Sequence, residues 1–308
     1  MKKTYGSQSM TDRLRRVILK RPAQAFRDER TIGREWRGLN YSAPPDLGRA
    51  ESEFETFVSI LRDQGSEVLF LPEDDRAGLD SIYVHDPALI TDAGAVIFQT
   101  GKIVRRGEGP AMADVLIRWG VPILARIDGP ATAEGGDMVW LDRKTLVVGR
   151  GFRTNGHGVE ALRSVLRPLG VTVLDYHLPY WNGPGDVLHL MSFMSLLDED
   201  LVVVYRKLLP APLFELLEER RIRLVDIPED EFPTQACNIL ALAPRRVVML
   251  EGNPVTRTML EAEGCEVFTF RGDEIAFKGS GGPTCLTRPL LREQGQTCTL
   301  SQSNKVQV

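Results

Sequence analysis

Hydrophobic and polar positions repeat in a fixed order along the 308-residue chain. Each unit predicts a strand entered by a polar residue, a second strand, an amphipathic helix and a third strand. The clearest unit consists of strands at 86–90 and 95–99, a helix carrying Met112, Val115, Leu116 and Trp119, and a strand at 121–127. Apolar residues at i, i+3, i+4 and i+7 are typical of a helix that packs one face on a core.

Three further units follow the same order. The second has strands at 137–140, 146–148 and 171–174 around a helix from Asn155, the third has strands at 201–205 and 222–227 around a helix at 213–220, and the fourth has strands at 247–250 and 266–270 around a helix from Asn253-Pro254. Asparagine favours the residue before a helix, and proline favours its first turn.

Five polar residues begin the units at nearly equal intervals of 51, 52, 49 and 47 residues: Asp86, Asp137, His189, Asn238 and Cys285. We call these the lead residues. The fifth unit is split, because its first strand is predicted at 285–288 and the chain then ends. Its missing parts stand near the N-terminus, as strands at 16–20 and 67–71 flanking a helix with Phe54 and Phe57.

Joining the two ends closes a ring of five ββαβ units, in which the lead residues converge on one central site. A doubly wound α/β sheet is the plainer alternative, but it would show single strands between helices and not pairs. We expect a flexible N-terminus at 1–12, one α/β domain at 13–292 and a flexible polar tail at 293–308.

Composition narrows the functional class. With 43% hydrophobic and 26% charged residues the chain is typical of a soluble globular protein. It contains no apolar run that could span a membrane, its first residues lack the apolar segment of a secretory signal, and a net charge of −4 argues against a nucleic-acid partner. The four cysteines lack metal or disulfide spacing. We therefore expect a cytoplasmic protein without metal or cofactor.

The lead residues and their neighbours suggest a chemistry. Cys285 follows a turn of three glycines and a proline, which suits a nucleophile, although a lone cysteine is more often a small buried hydrophobe. His189 can carry a proton near neutral pH. The carboxylates of Asp80, Asp86, Glu134 and Asp137 favour a planar cation such as a guanidinium.

With these residues the sequence resembles the guanidino-group modifying enzymes of the pentein superfamily, and most closely the dimethylarginine dimethylaminohydrolases. The matching segments are Asp80-Ser-Ile-Tyr-Val-His-Asp-Pro87, Arg105-Arg-Gly-Glu108, Glu134-Gly-Gly-Asp137, Arg153-Thr-Asn155, Val187-Leu-His-Leu190, Cys237-Asn238 and Gly281-Gly-Pro-Thr-Cys285. The resemblance implies a five-bladed α/β propeller, consistent with the ring inferred from the repeat.

The resemblance also implies roles. Cys285 would be the nucleophile that forms a covalent thiouronium intermediate, and His189 would protonate the leaving amine and later activate water. Glu134 would orient the guanidinium beside His189, and other members of the set would bind the substrate: Asp80, Asp86 and Asp137 as carboxylates, and Arg105 and Arg153 as ligands of its α-carboxylate. Without the resemblance, both arginines would be taken for surface ion pairs.

The implied activity is hydrolysis of the guanidino group of arginine or Nω-methylated arginine, giving citrulline plus ammonia or methylamine, with a small guanidino compound as partner and a possible homodimer. The related arginine deiminases and amidinotransferases carry aspartate two residues after the catalytic histidine, where this chain has Met191. His85 is a second departure, since the methylarginine hydrolases usually have an acidic residue at this position and the deiminases a basic one. The alternatives are an amidinotransferase, an arginine dihydrolase that yields ornithine, or a non-catalytic propeller.

Overall fold

Each of the four continuous units forms one three-stranded sheet, the first strand antiparallel to the second and the second parallel to the third. The computed structural model describes residues 3–294. The four blades are β3 (Ala88–Ile90), β4 (Ala95–Phe98), α4 (Glu108–Arg118) and β5 (Ile123–Ile127); β6 (Met138–Asp142), β7 (Thr145–Arg150), α5 (Gly156–Leu166) and β8 (Thr172–His177); β9 (Met194–Asp198), β10 (Leu201–Val204), α6 (Ala211–Glu219) and β11 (Arg223–Asp226); β12 (Leu240–Ala243), β13 (Arg246–Leu250), α7 (Pro254–Ala262) and β14 (Glu266–Phe270).

The chain ends share the fifth blade, as predicted. It contains β1 (Arg13–Leu19), β2 (Glu67–Phe70) and β15 (Arg288–Glu293) in the order β15-β1-β2. The strands β1 and β15 pair antiparallel, with Val17 opposite Pro289 and Ile18 opposite Arg288. Between β1 and β2 the chain adds α1 (Pro22–Ala25), α2 (Glu29–Glu35) and α3 (Leu47–Asp63). The molecule is therefore a ring of five ββαβ blades with no blade left open.

The helix starts follow the sequence signals only in part. The side chain of Asn155 accepts a hydrogen bond from the backbone N–H of Gly158 and caps α5. Asn253 also precedes its helix, but its side chain makes no capping bond there. The carboxylate of Glu231 instead accepts from the first amides of α7, at Val255 N and Thr256 N, both at 2.8 Å. A carboxylate from outside the helix satisfies these amides and the positive end of the helix dipole together.

The predicted first strand of the fifth unit begins too early in the chain. Cys285 lies in a turn, closed by a hydrogen bond from Leu286 N to Gly282 O at 3.1 Å, and β15 begins only at Arg288. The hydroxyl of Thr287 donates to Pro283 O at 2.9 Å and holds the turn from within. The nucleophile candidate therefore stands on a turn that precedes the strand.

The N-terminal segment differs from the expectation of a flexible end. Gly6 N donates to Leu290 O at 2.8 Å, and Arg292 N donates to Gly6 O at 2.9 Å, so the segment pairs with the outer edge of β15. Four of the following side chains are buried: Ser7, Gln8, Thr11 and Asp12. Polar residues predict flexibility only when nothing covers them, and here neighbouring blades supply their partners. The predicted tail lies outside the described residues from 295 onward.

No helix within residues 3–294 is long and apolar enough to cross a membrane.

Removal of residues 1–12 should destabilise the protein, because it exposes the edge of β15 and breaks both backbone bonds of Gly6. At about 1 kcal/mol for each hydrogen bond, the loss is roughly 2 kcal/mol before the lost burial is added. Thermal unfolding of the shortened protein measures it. Removal of residues 1–5 is the comparison, because it keeps Gly6. It removes the Lys3–Asp92 pair, the bond from Arg16 to Thr4 O and the packing of Tyr5, so its unfolding midpoint should fall less than that of the longer deletion. Equal midpoints for both deletions would show that the segment contributes nothing.

Candidate active site

Two lead carboxylates join neighbouring blades at the centre of the ring. Asp86 Oδ1, in the first blade, accepts a hydrogen bond from Gly136 N of the second at 3.0 Å. Asp137 Oδ1, in the second, accepts from Leu190 N of the third at 3.1 Å. Both carboxylates are buried. Their position at the start of a unit thus has a structural cause, since a buried backbone N–H requires an acceptor.

The same pattern continues to the fifth blade. Asn238 Oδ1 accepts from Thr284 N at 3.0 Å, and His85 N donates to Cys285 O at 3.2 Å, which returns the ring to the first blade. Arg288 Nη2 donates to His85 O at 2.7 Å beneath this junction.

One cavity at this centre receives six of the eight predicted site residues: Asp80, Asp86, Arg105, Arg153, His189 and Cys285. Its other walls come from Leu39, Asn40, Tyr83, Lys102, Asp186, Val187 and the glycine-rich turn 279–281. Glu134 lies behind His189, fully buried. Asp137 does not line the cavity, so the structure gives it the inter-blade hydrogen bond and no direct route to a substrate.

His189 and Glu134 form a buried pair, with His189 Nε2 2.7 Å from Glu134 Oε2. Burial by itself lowers the pKa of His189, but the surrounding carboxylates, Asp86 most strongly, raise it to about 9. The pKa of Glu134 is lowered despite its burial, because it accepts the bond from His189. The pair is therefore an imidazolium and a carboxylate at neutral pH. A Cβ at Gly136 would lie 2.4 Å from His189 Nδ1, which explains a glycine there.

The thiol of Cys285 is held by Asn238, whose Nδ2 lies 3.2 Å from Sγ. A Cβ at Gly282 would lie 2.6 Å from Asn238 Cγ, so the glycine makes room for that amide. Burial and the negative charge of Asp86 raise the pKa of Cys285 to about 11, although the bond from Asn238 opposes them. At neutral pH Cys285 is consequently a thiol and not a thiolate.

Arg105 is engaged differently from the expected role as a ligand of the substrate carboxylate. Its Nη1 donates to Asp86 Oδ2 at 2.7 Å, and its Nε and Nη2 donate to the two carboxylate oxygens of Glu108 at 2.9 and 2.8 Å. Nη2 also donates to Tyr83 O at 3.0 Å. Burial raises the pKa of Glu108 to about 7 against the opposing charge of Arg105. These bonds occupy four of its five N–H groups, so Arg105 has one N–H of Nη1 with which to meet a ligand.

Lys102 is a site residue that the sequence reasoning missed. Its Nζ donates to Asp80 Oδ2 at 2.7 Å and to Leu39 O at 2.9 Å. Its only signal in the sequence is weak, a position just beyond the second strand of the first unit. Asn238, by contrast, carried a visible signal, because it occupies a lead position.

Arg153 keeps more free donors than Arg105. Its Nη1 lies 3.7 Å from Glu134 Oε1, and its Nη2 makes a long contact with Asp186 O at 3.4 Å. The side chain is buried but reaches the cavity. It is thus the better placed of the two arginines to meet an anionic group.

The acceptors at this centre could also attract a cation. Asp86, Glu134 and His189 each offer a ligand atom, and these atoms lie within 4.8 Å of one another. Arg105 already contributes a positive charge to Asp86, and His189 is protonated at neutral pH. Both positive charges would repel a divalent ion more strongly than a singly charged one. The three side chains therefore suit a singly charged, planar cation better.

Comparison with known proteins identifies the family of the chain. The family model described as "N,N dimethylarginine dimethylhydrolase, eukaryotic" matches residues 36–292. An N(G),N(G)-dimethylarginine dimethylaminohydrolase of Pseudomonas aeruginosa is 26% identical over 271 residues, covering 88% of this chain and 97% of the relative. The enzyme of that name from Streptomyces coelicolor is 30% identical over 244 residues, covering 79% and 86%.

A solved structure of the Pseudomonas aeruginosa enzyme, a cysteine-to-serine mutant complexed with citrulline, has a TM-score of 0.74. It is 24% identical and covers 91% of this chain and 100% of the solved one. Arginine deiminases and an amidinotransferase are also similar to the chain. The chain thus belongs to the N,N-dimethylarginine dimethylhydrolase family, within the guanidino-group modifying enzymes that its motifs resemble.

Proposed function

We propose that this protein hydrolyses the guanidino group of arginine or of Nω-methylated arginine, releasing citrulline and ammonia or an amine. One observation carries the proposal: a thiol, Cys285, and a buried acid–base pair, His189 with Glu134, meet at one cavity that also holds Asp80 and Asp86. The similarity to dimethylarginine dimethylaminohydrolases and arginine deiminases supports the same reaction class.

The carboxylates would recognise the guanidinium. Within residues 3–294, Asp86 has one donor on each oxygen, Gly136 N on Oδ1 and Arg105 on Oδ2. A carboxylate offers about four acceptor positions, so Asp86 can also accept N–H groups of a ligand. Arg153, with its free donors, would hold the α-carboxylate of the substrate.

The first chemical step forms the bond between Cys285 Sγ and the central guanidino carbon. The thiol must first give its proton to solvent, since His189 is already protonated. A bound guanidinium favours this loss because it brings a positive charge beside a sulfur whose pKa burial has raised. The tetrahedral adduct then expels an amine, which leaves only after protonation. His189, protonated at neutral pH, donates that proton and leaves a thiouronium on Cys285.

The second step uses the same residues in reverse. Neutral His189 accepts a proton from water, and the resulting hydroxide attacks the thiouronium carbon. The C–S bond breaks, citrulline leaves, and Cys285 returns to the thiol. Glu134, held 2.7 Å from His189, stabilises the imidazolium in both steps.

Incubation of the protein with arginine, monomethylarginine and dimethylarginine tests the reaction class, with citrulline, ornithine and released amine as separate readouts. We expect citrulline and ammonia or an amine in equal amounts. Ornithine as the product would indicate a dihydrolase. Transfer of the amidino group to added glycine would indicate an amidinotransferase, and no turnover of any of the three substrates would contradict the proposal.

Two substitutions separate the steps of the mechanism. Cys285→Ser should lose nearly all turnover and form no adduct, because a serine hydroxyl ionises far less readily than a thiol. His189→Gly should accumulate the covalent adduct with a substrate whose leaving group needs no protonation, such as S-methyl-thiocitrulline, because hydrolysis lacks its base. Intact-protein mass spectrometry after acid quench measures both. An adduct on Cys237 or Cys265 would assign the nucleophile elsewhere.

The alkylation of Cys285 by iodoacetamide should depend steeply on pH. Only the thiolate reacts, so a thiol with a pKa near 11 should react about tenfold faster for each unit between pH 7 and pH 10. Asp86→Asn should shift this profile to lower pH, because the charge of Asp86 disfavours the thiolate. Cys285→Ser supplies the background from other thiols. A rate that levels off near pH 9 in the unaltered protein would contradict the raised pKa.

A further inference from the structure

A second cavity lies inside the ring and is lined by the first strand of every blade. Its wall includes Leu89 of β3, Trp140 of β6, Ser195 of β9, Ala241 of β12 and Arg288 of β15. The N-terminal segment closes one end with Ser7, Ser9 and Met10. We call it the central cavity. It is distinct from the active-site cavity, with which it shares no lining residue.

Two buried arginines of β15 line the central cavity. Arg288 is 5% exposed and Arg292 is 3% exposed. Their terminal nitrogens donate only to backbone carbonyls, Arg288 Nη2 to His85 O at 2.7 Å and Arg292 Nη1 and Nη2 to Asp12 O and Ala241 O at 2.6 and 2.9 Å. Within residues 3–294 neither forms an ion pair within 4.0 Å. Two guanidinium charges are thus buried without a carboxylate partner.

The same cavity contains buried donors that have no acceptor. Within the described residues, the Nε of Arg288, the Nε of Arg292 and the indole Nε1 of Trp140 make no hydrogen bond. An unpaired buried donor costs roughly 1–3 kcal/mol, and more when it is charged. Three such donors on one cavity wall indicate a missing acceptor.

The nearest acidic groups do not fill this role. Asp12 is paired with Arg143 at 2.9 Å, and Asp86 is paired with Arg105 at 2.7 Å. His85 also lines the central cavity, but its Nδ1 lies 2.7 Å from Thr287 O, and burial lowers its pKa well below the usual value. A neutral histidine supplies no negative charge.

Burial lowers the pKa of Arg288 to about 9 and that of Arg292 to about 10. Arginine nevertheless stays protonated in proteins, so the lowered pKa expresses the cost of a buried charge that Asp86, near Arg288, and Asp12, near Arg292, offset only in part. Water can accept hydrogen bonds from the free donors, but it cannot neutralise two guanidinium groups.

We propose that the central cavity binds a small monovalent inorganic anion between the side chains of Arg288, Arg292 and Trp140. The space open to the centre of a water-sized group is about 20 Å³, which is room for about one such group. A halide such as chloride is of this size. The bound anion joins the second blade to the fifth and holds the N-terminal segment over the ring.

The stability of the protein tests the site in solution. Chloride should replace gluconate at constant ionic strength while the thermal unfolding midpoint is measured. We expect the midpoint to rise with the logarithm of the chloride concentration, by about 5 °C at roughly 100 times the dissociation constant. A midpoint that does not change, or that rises only in simple proportion to the chloride concentration, would contradict the proposal.

Substitution of one arginine tests the location. Arg292→Gln keeps an amide donor but removes the charge, and it should abolish the dependence on chloride. Arg118→Gln removes an exposed charge on α4 and should leave the dependence unchanged. If the unfolding midpoint of Arg292→Gln rises with chloride as that of the unaltered protein does, the proposed site is contradicted.

Bromide gives a second readout that does not depend on a variant that folds. Crystals of the unaltered protein grown in sodium bromide should show an anomalous peak in the central cavity, between the side chains of Arg288 and Arg292. Density for water alone, or a peak only at the surface, would overturn the assignment.

Discussion

The structure depends on a ring of buried hydrogen bonds between side chains and the backbone of the next blade. Asp86 accepts from Gly136 N, and Asp137 accepts from Leu190 N. Ser195 donates to Cys237 O at 2.7 Å between the third and fourth blades. Because each blade has only three short strands, backbone N–H and C=O groups remain buried at the centre of the ring. The neighbouring blade must supply their hydrogen-bond partners. The chemistry is built on the residues that meet this requirement.

A lead position can therefore have two roles. Asp137 accepts a hydrogen bond from the next blade but does not line the active-site cavity, whereas Asp86 does both. A repeat in sequence therefore identifies residues that the fold requires, and the fold then exposes some of them to a substrate. Cys285 and His189 face the active-site cavity because the turns that carry them lie at the open end of the ring.

The negative charges around the candidate active site disfavour the thiolate form of Cys285. The carboxylates that hold His189 protonated also raise the pKa of Cys285, through the charge of Asp86. The same negative field that would attract a guanidinium thus disfavours the thiolate until that cation arrives. Such a site couples reactivity to the charge of its ligand, which protects the thiol from attack on neutral molecules.

Periodicity and spacing, which are local properties, were enough to predict the five units and the split fifth blade, and with the motifs of the family they predicted six of the residues that line the active-site cavity. The sequence did not determine the partners of those residues. Lys102 reaches Asp80, and Arg105 is committed to Asp86 and Glu108, through contacts that only packing creates. The buried N-terminal segment was missed for the same reason, since its polar side chains find partners in other blades. Tertiary structure decided these points because burial and charge pairing depend on residues distant in the chain.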